Sequence, residues 1–530
     1  MFKILRYTKK YIIKNKLKFT IYFLFGIFSS FMNLISPKII GNFVDYLSLG
    51  LKEEVIKYIM IFVSLNLLTF IVSYITDRLY IYIQTDAGFN LNKDLNNHML
   101  NVSLLDSQKF ESSYLTNRIN NDSNSVIIFS INAILNILDN LIIFVGASIF
   151  LIKLNKILFL FVIIMCSLYV VFYYFLKEKI YKINYDLIES RSEFFSNIYK
   201  QLDNIRSIKI HSSFSQSLKK LDNAFNLLLN LTLKNQKVSY FYTSLDVILS
   251  QIMYIFLFIY GGFSVIEGNL SIGEFVMISS FLGKMLESVQ FYFSFAKEIK
   301  ETQASLNRII EIENLDEEVF GNVKPKSINR INVDFSFSYT KNSKKINLKK
   351  VFSKGKIYWI KGKNGSGKST LLDIISGLYI NDFKGEIFFD TFNLKNIDLN
   401  FLRKNLISFV EQKANLIYAN SINKINENTA REIVNNFGLT NIMSIEKENI
   451  NFLKNLDNLS GGEKQKVQIV TEILKNSDLM LFDEPENNLD FKSGLFLENL
   501  LLKLKNNKII ILVGHNENFK NISDDIIDLN

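Results

Sequence analysis

Cysteine, tryptophan, histidine and proline are all scarce in this chain, with one, one, three and three among 530 residues. The lone cysteine, Cys166, lies inside an apolar run, which excludes a disulfide framework and a thiolate metal site. His98 and His211 have no second ligand at metal spacing, so each reads as a surface or packing residue. Few prolines and a 48% hydrophobic content exclude bulk disorder. The net charge of +10 would suit nucleic acid, but its placement points elsewhere. Seven lysines and arginines fall between Lys3 and Lys18, immediately before the first apolar run, as in the cytoplasmic flank of a membrane span. A signal peptide fits poorly, because the run from Phe19 is too long and no small-residue cleavage site follows.

Long hydrophobic runs are absent from the last 220 residues and fill the first 300. A bilayer core needs roughly 20 apolar residues in helix. Six stretches qualify, at about 19–44, 55–83, 126–152, 156–176, 245–266 and 272–294. With the N-terminus inside, segments 84–125 and 177–244 fall on the cytoplasmic side as helical extensions, with short docking helices expected near 107–114 and 206–214. Lys153 and Lys156 fall on the outer side, a mild conflict outweighed by the N-terminal cluster. Polar residues inside the spans (Asn33, Asn66, Asp77, Asp139, Lys284 and Glu287) are costly unless they face a partner or a watery cavity. Lys284 and Glu287 are spaced to neutralise each other, whereas Asp139, between Asn136 and Asn140, is the better cavity candidate. Cytoplasmic extensions beyond the lipid are an equal reading for Asp77, Lys284 and Glu287.

The remaining sequence carries chemistry. The apolar run 357–360 leads into 362-GKNGSGKST-370 and then the apolar stretch 371–378, a strand–loop–helix satisfying GxxxxGKS/T. Backbone N–H groups along Gly362, Asn364, Gly365, Ser366, Gly367 and Thr370 can wrap phosphate at a helix N-terminus, while Lys368 reaches phosphate oxygens and the Ser369 hydroxyl can ligate Mg²⁺. A second strand, 479–482, ends in Asp483, placed for a magnesium shell, and Glu484, placed to polarise an attacking water. A third, 508–514, delivers His515 to the same edge. Gln412, after the apolar stretch 407–410, is a weaker candidate for contact with magnesium or water.

The stretch 459-LSGGEKQK-466 predicts a helix start, with Ser460 and Glu463 as a capping box. The box leaves Gly461 and Gly462 unexplained, each costing about 1 kcal/mol of helix propensity. Glycines at a helix start let a phosphate approach the backbone, and the loop at 362–370 already supplies one cradle. The second cradle therefore points to a nucleotide on a second copy of the domain.

In this order of elements the chain resembles the ATP-binding-cassette transporters, specifically in the last 220 residues and moderately in the first 300. The membrane half resembles the exporter type, with Pro37 after the first span and 268-GNLSIGEF-275 before the sixth. The resemblance implies that Tyr339 stacks on adenine and Gln412 links the ATP site to the membrane domain. It implies that Ser460, Gly461 and Gly462 contact the γ-phosphate across a head-to-tail dimer. Asp483, Glu484 and His515 would be magnesium-shell acid, catalytic base and switch histidine, and Asp490 the acid of the following loop. Four departures stand out. Glu463 replaces the commoner glutamine, and residues 486–488 read Glu-Asn-Asn instead of small or hydroxyl types. The stretch from Gln412 to Leu459 is short, and no Thr/Val/Gly-rich motif is recognisable in 451–458.

The expectation is a bundle of six transmembrane helices with long cytoplasmic extensions over residues 1–305, fused to an α/β P-loop nucleotide-binding domain over 306–530. By resemblance it is an ATP- and Mg²⁺-dependent half-size exporter in the cell membrane, with its nucleotide-binding domain cytoplasmic. Its partner would be a second copy or a paralogous half-transporter, with no role for nucleic acid. An importer on the same fold, or an ATP-gated channel or regulator, are the alternatives. Peptide, lipid and drug-like cargo stay open.

Overall fold

Clusters of internal contacts divide the chain into two units, one of Met1–Asn96 with Ser113–Ile312 and one of Asn97–Ser112 with Glu313–Asn530. The structure is a computed structural model describing residues 1–110, 112–340, 344–416, 427–446, 449–514 and 518–529.

The first unit is helical. Helix α1 (Phe2–Ile13) precedes α2 (Lys16–Ser48) and α3 (Lys52–Asn101), and after the short α4 (Leu104–Ser107) and α5 (Ser112–Asn117) a π-helical turn leads into α6 (Ser123–Leu154). Helix α7 (Lys156–Asp203), the short α8 (Ile205–Ile210) and α9 (Phe214–Phe256) follow. A second π-helical turn, α10 (Gly262–Ile266) and α11 (Ile272–Glu313) complete the series. Helix lies over each of the six apolar stretches. Among the described residues four helical segments, Lys16–Ser48, Lys52–Asn101, Tyr114–Leu154 and Val247–Ile266, are long and apolar enough to cross a membrane, and α7 adds a shorter apolar stretch, Lys156–Phe172. A soluble core is ruled out most directly by α3, whose most apolar window has mean hydropathy 2.2 yet is only 6% buried. Such a surface needs an apolar solvent.

The basic N-terminal flank holds more order than its charge pattern suggests. Ile4, Thr8, Tyr11 and Ile12 form one buried face of α1, while Lys3, Arg6, Lys9 and Lys10 point outward. Tyr11 Oη donates to Asp94 Oδ2 at 3.0 Å, and Asn15 Nδ2 to Asp86 Oδ2 at 2.6 Å, fixing this amphipathic helix to the far part of α3. Further along, Asp45 closes the start of α11. Its Oδ1 accepts from Gly273 N and its Oδ2 from Ser271 Oγ, both at 2.7 Å, and Ser271 and Glu274 add a reciprocal box at 2.9 Å. Lys284 and Glu287, spaced to pair, make no ion pair among the described residues.

The second unit holds the α/β part. Strands β1 (Arg330–Phe337), β2 (Ile346–Ser353), β4 (Lys384–Phe389) and β5 (Phe392–Asn393) form an antiparallel sheet ordered β2-β1-β4-β5. Strands β3 (Lys356–Lys361), β6 (Ile407–Val410), β9 (Leu479–Asp483), β10 (Ile509–Val513) and β11 (Asp525–Asp528) form a parallel sheet ordered β11-β3-β10-β9-β6. Every residue of β9 and β10 is buried, and successive residues alternate between two cores. Leu481 and Ile511 enter one, Met480 and Ile510 the other, which is why these strands read as unbroken apolar runs. Helices α12 (Lys368–Ile375) and α13 (Leu399–Asn405) follow β3 and β5, and α14 (Glu427–Asn436), α15 (Gly461–Leu474), α16 (Phe491–Leu504) and α17 (Asn518–Ile522) complete the layers. Between α14 and α15 stands an antiparallel hairpin of β7 (Met443–Glu446) and β8 (Asn449–Phe452), an element missed in the sequence.

Short helices stand at both places where they were expected: α4 and α5 meet the two ends of 107–114, and α8 covers the start of 206–214. Leu104 and Leu105 of α4 pack against the core beneath the parallel sheet, within the second unit. Ser103 caps α4, its N–H donates to Asp316 O at 2.9 Å, and His98 Nδ1 lies 2.7 Å from Glu317 Oε1. His98 is thus a packing residue.

Candidate nucleotide site

Parallel register decides what meets at the sheet edge. Val513 of β10 stands beside Ile360 of β3 and Asp483 of β9, and β6 flanks β9 on its other side. The carboxyl ends of these strands therefore deliver the glycine-rich loop, Asp483-Glu484 and Gln412 to one place, the usual ligand position in an open α/β sheet. A cavity of about 560 Å³ opens there, lined by Tyr339, Lys344, Ile346, residues 364–370, Gln412 and Glu484.

The loop is built for close approach. Gly367 is the N-cap of α12 at φ 97°, and a Cβ there would stand 2.3 Å from Ile346 Cδ1, so both backbone and space demand glycine. Lys368 is buried, and its Nζ donates to Gly362 O at 2.9 Å. Ser366 Oγ is buried with no hydrogen-bond partner among the described residues, a polar atom inside the cradle that an anionic ligand can satisfy. Tyr339 is 43% exposed. Its hydroxyl lies 2.8 Å from Thr370 Oγ1, and its ring stands edge-on to Phe337 and Tyr379. That leaves an aromatic surface at the cavity wall.

Carboxylates crowd behind the loop. Asp483 is buried and hydrogen-bonded by the Ser369 hydroxyl, while its Oδ1 has no partner among the described residues. Burial raises the Asp483 carboxyl above its ordinary range, partly offset by Ser369 and Lys368. Burial, with the charges of Asp483 and Glu411, pushes Asp373 up to about 6, and burial raises Glu411. A hard divalent cation suits this donor set, with Asp483 Oδ1 and the Ser369 hydroxyl as its protein oxygens.

Glu484 sits at φ 48°, a left-handed conformation uncommon for a non-glycine residue and typical of functional strain. Its N–H donates to Val513 O at 2.8 Å, tying it to the central strand. Its Oε2 accepts from Gln412 Nε2 at 2.7 Å and from Asn487 Nδ2 at 2.8 Å. Gln412 thus faces the catalytic-base candidate through its amide nitrogen, and its amide oxygen is the atom type able to ligate a cation. His515 lies outside the described residues.

Ser460, Gly461 and Gly462 do not line this cavity. They begin α15, where Ser460 Oγ accepts from Glu463 N at 3.3 Å and Glu463 Oε2 from Ser460 N at 2.8 Å, the expected box. The two glycines differ. A Cβ on Gly462 would lie 2.8 Å from Asn488 O, so its own chain explains that glycine, whereas a Cβ on Gly461 would meet nothing within 4 Å. Lys466 of α15 pairs with Asp490, which also caps α16 by accepting from Ser493 N at 2.9 Å. The Lys466 ammonium, then the Ser493 N–H, hold the Asp490 carboxyl well below its usual range. The start of α15 is thereby fastened to the 487–490 loop.

Sequence reasoning missed Lys344, Ile346, Asp373, Glu411 and Asn487. Asp373 had a signal, as the lone charge in the apolar stretch 371–378 and four residues beyond Ser369. Asn487 appeared only as an unusual residue.

Residues 19–289, just over half of the chain, match the ABC transporter transmembrane region, and residues 345–487 match the ABC transporter family. The microcin-J25 export ATP-binding/permease protein McjD of Escherichia coli is 24% identical over 95% of this chain and 89% of its own length. The lactococcin-G-processing and transport ATP-binding protein LagD of Lactococcus lactis is 24% identical over 70% of this chain and 55% of its own. The ATP-dependent lipid A-core flippase of Pasteurella multocida is 25% identical over 50% of this chain and 48% of its own. Apolar helices that need a membrane, fused to a phosphate loop with an acid pair at one sheet edge, agree with both matches: this chain belongs to the ABC transporters and is an ATP-hydrolysing membrane transporter.

Proposed function

We propose that the chain is an exporter-type half-transporter that works as a dimer, with a second copy or a paralogous half-transporter as partner. The observation that carries this is Gly461, open at the start of α15 and apart from the cavity of its own chain. A glycine with no local need there suits a phosphate approaching from a nucleotide on the partner. The six stretches at 19–44, 55–83, 126–152, 156–176, 245–266 and 272–294 would be the spans, in the cell membrane, with the nucleotide-binding part, about 306–530, in the cytoplasm.

In each site, Tyr339 offers its ring to adenine and residues 362–370 hold the phosphates, Lys368 turning its ammonium to the γ-phosphate. Asp483, Ser369 and Gln412 would hold Mg²⁺, whose charge offsets that of the phosphates. Glu484, steadied by Gln412 and Asn487, takes a proton from water as its oxygen bonds the γ-phosphorus and the bond to ADP breaks. His515 would steady the γ-phosphate. Closure on two ATP molecules and release after hydrolysis switch the membrane helices between inward- and outward-facing states. Relatives named for a microcin, a lactococcin and lipid A support peptide or lipid as the cargo class.

The test is ATP-driven accumulation of candidate peptides and lipids in inverted vesicles, with Glu484→Gln as blank. Accumulation above the blank is expected. ATP-driven depletion would replace the exporter by an importer, and passive currents on ATP addition would replace it by a channel.

A further inference from the structure

Three of the polar residues that fall within the apolar stretches, Asn33, Asp77 and Asp139, meet in one cavity of about 400 Å³ between α2, α3 and α6. The cavity belongs wholly to the helical unit and takes no part in the nucleotide chemistry. Most of its neutral polar groups are already satisfied. Tyr22 Oη donates to Asn132 Oδ1 at 3.0 Å, and Asn132 Nδ2 donates to Tyr80 Oη at 3.3 Å, a closed relay across the three helices. The Ser30 and Thr76 hydroxyls donate to carbonyls of their own helices at 3.1 and 2.8 Å.

The two carboxylates are different. Neither Asp77 nor Asp139 makes an ion pair among the described residues. Neither Arg78, next in sequence to Asp77, nor Lys18 lines the cavity. Arg78 Nη1 donates to Tyr74 Oη at 3.3 Å, and Lys18 Nζ stands 3.1 Å from the centre of the Tyr82 ring. Lys284 does not line the cavity. Carboxylates within apolar spans are costly unless water or a cation compensates them. The described residues also hold no group of three or more metal-ligating side chains, and the volume suits an organic group better than a bare ion.

We infer that this cavity is a cargo subsite that takes a positively charged organic group, an ammonium or guanidinium such as a peptide's lysine, arginine or N-terminal amine, facing Asp77 and Asp139. The inference rests on the exporter reading above and narrows its cargo class. Asn33 and Asn136, which line the same cavity, can offer hydrogen bonds to the flanking amides of such a group.

The test uses the full chain in lipid nanodiscs and three eight-residue peptides of one apolar sequence, carrying lysine, glutamine or glutamate at the same two positions. Binding is measured without ATP. The lysine peptide is expected to bind about tenfold tighter than the glutamine peptide, and the glutamate peptide weakest. Asp77→Asn with Asp139→Asn should erase that preference while the melting temperature stays unchanged, and Asp139→Glu should keep it. No preference in the native chain, or one that survives the double variant, overturns the inference. ATP-driven uptake of the glutamine peptide against the Glu484→Gln blank tests the exporter reading separately. Uptake without charge preference would leave an exporter and remove the subsite. Charge-selective binding without uptake would keep the subsite and count against export.

Discussion

Asn487 Nδ2 and Gln412 Nε2 donate to the same oxygen, Oε2 of Glu484, at 2.8 and 2.7 Å. Two amides on one carboxylate oxygen restrict the rotamer of the proposed base. Asn487→Ala should lower kcat for ATP by about three- to tenfold with little change in KM, because it loosens orientation and leaves binding alone. Glu484→Gln should lower it by about a hundredfold or more. Steady-state ATPase assays in nanodiscs separate the two, and an unchanged kcat in Asn487→Ala would deny Asn487 a positioning role.

The adjacent glycines of α15 should answer alanine in opposite ways. Gly462→Ala places a Cβ 2.8 Å from Asn488 O and should lower the melting temperature as the 487–490 loop shifts. Gly461→Ala has open space and should leave the melting temperature unchanged or slightly raised, since alanine favours helix by about 1 kcal/mol. If Gly461 meets a phosphate, its alanine variant loses ATPase while remaining folded. Calorimetry and ATPase rates on the two variants check this.

Asp373 predicts a pH signature. Its carboxyl is pushed up to about 6 by burial and by Asp483 and Glu411, above an unfolded value near 3.8. The folded state therefore binds the proton more tightly, so this residue's contribution to stability falls as pH rises from about 4 to 6 and is level above that. A difference of that size between folded and unfolded chain corresponds to on the order of 2–3 kcal/mol. The stability of Asp373→Asn relative to the native chain should rise through that window and plateau near pH 7, read from chemical denaturation at fixed pH values.

In the helical unit, Asp45 accepts from Gly273 N and Ser271 Oγ at 2.7 Å each, joining the end of α2 to the start of α11. Asp45→Ala should cost about 1–2 kcal/mol, the range for a lost helix cap, with Asp45→Asn retaining part of it. Thermal unfolding in detergent measures both.

Strands β9 and β10 were legible because both their faces are buried and they appear as plain apolar runs, whereas β11, with one buried residue in four, was not. The glycine-rich loop was legible through spacing. The β7–β8 hairpin was not, since its four-residue strands are shorter than a reliable alternation and only Met443, Ile445 and Ile450 are buried. The amphipathic face of α1 was hidden by the lysines and arginine between its apolar positions. Gly462 shows another limit: sequence sees a costly glycine but not the Asn488 carbonyl that requires it. The meeting of Asn33, Asp77 and Asp139 depends on how three helices cross, which one-dimensional periodicity does not encode.

The central claim, that each ATP site joins the loop of one chain to the α15 start of another, is tested by mixing two defects. Chains carrying Lys368→Ala and chains carrying Gly461→Asp, each with a different affinity tag, are co-expressed and the mixed dimer purified through both tags. Either variant alone should be nearly inactive. The mixed dimer retains one site in which the native loop of the Gly461→Asp chain faces the native α15 start of the Lys368→Ala chain. The account predicts ATPase activity in that dimer well above either parent, and a mixed dimer as inactive as its parents would contradict it.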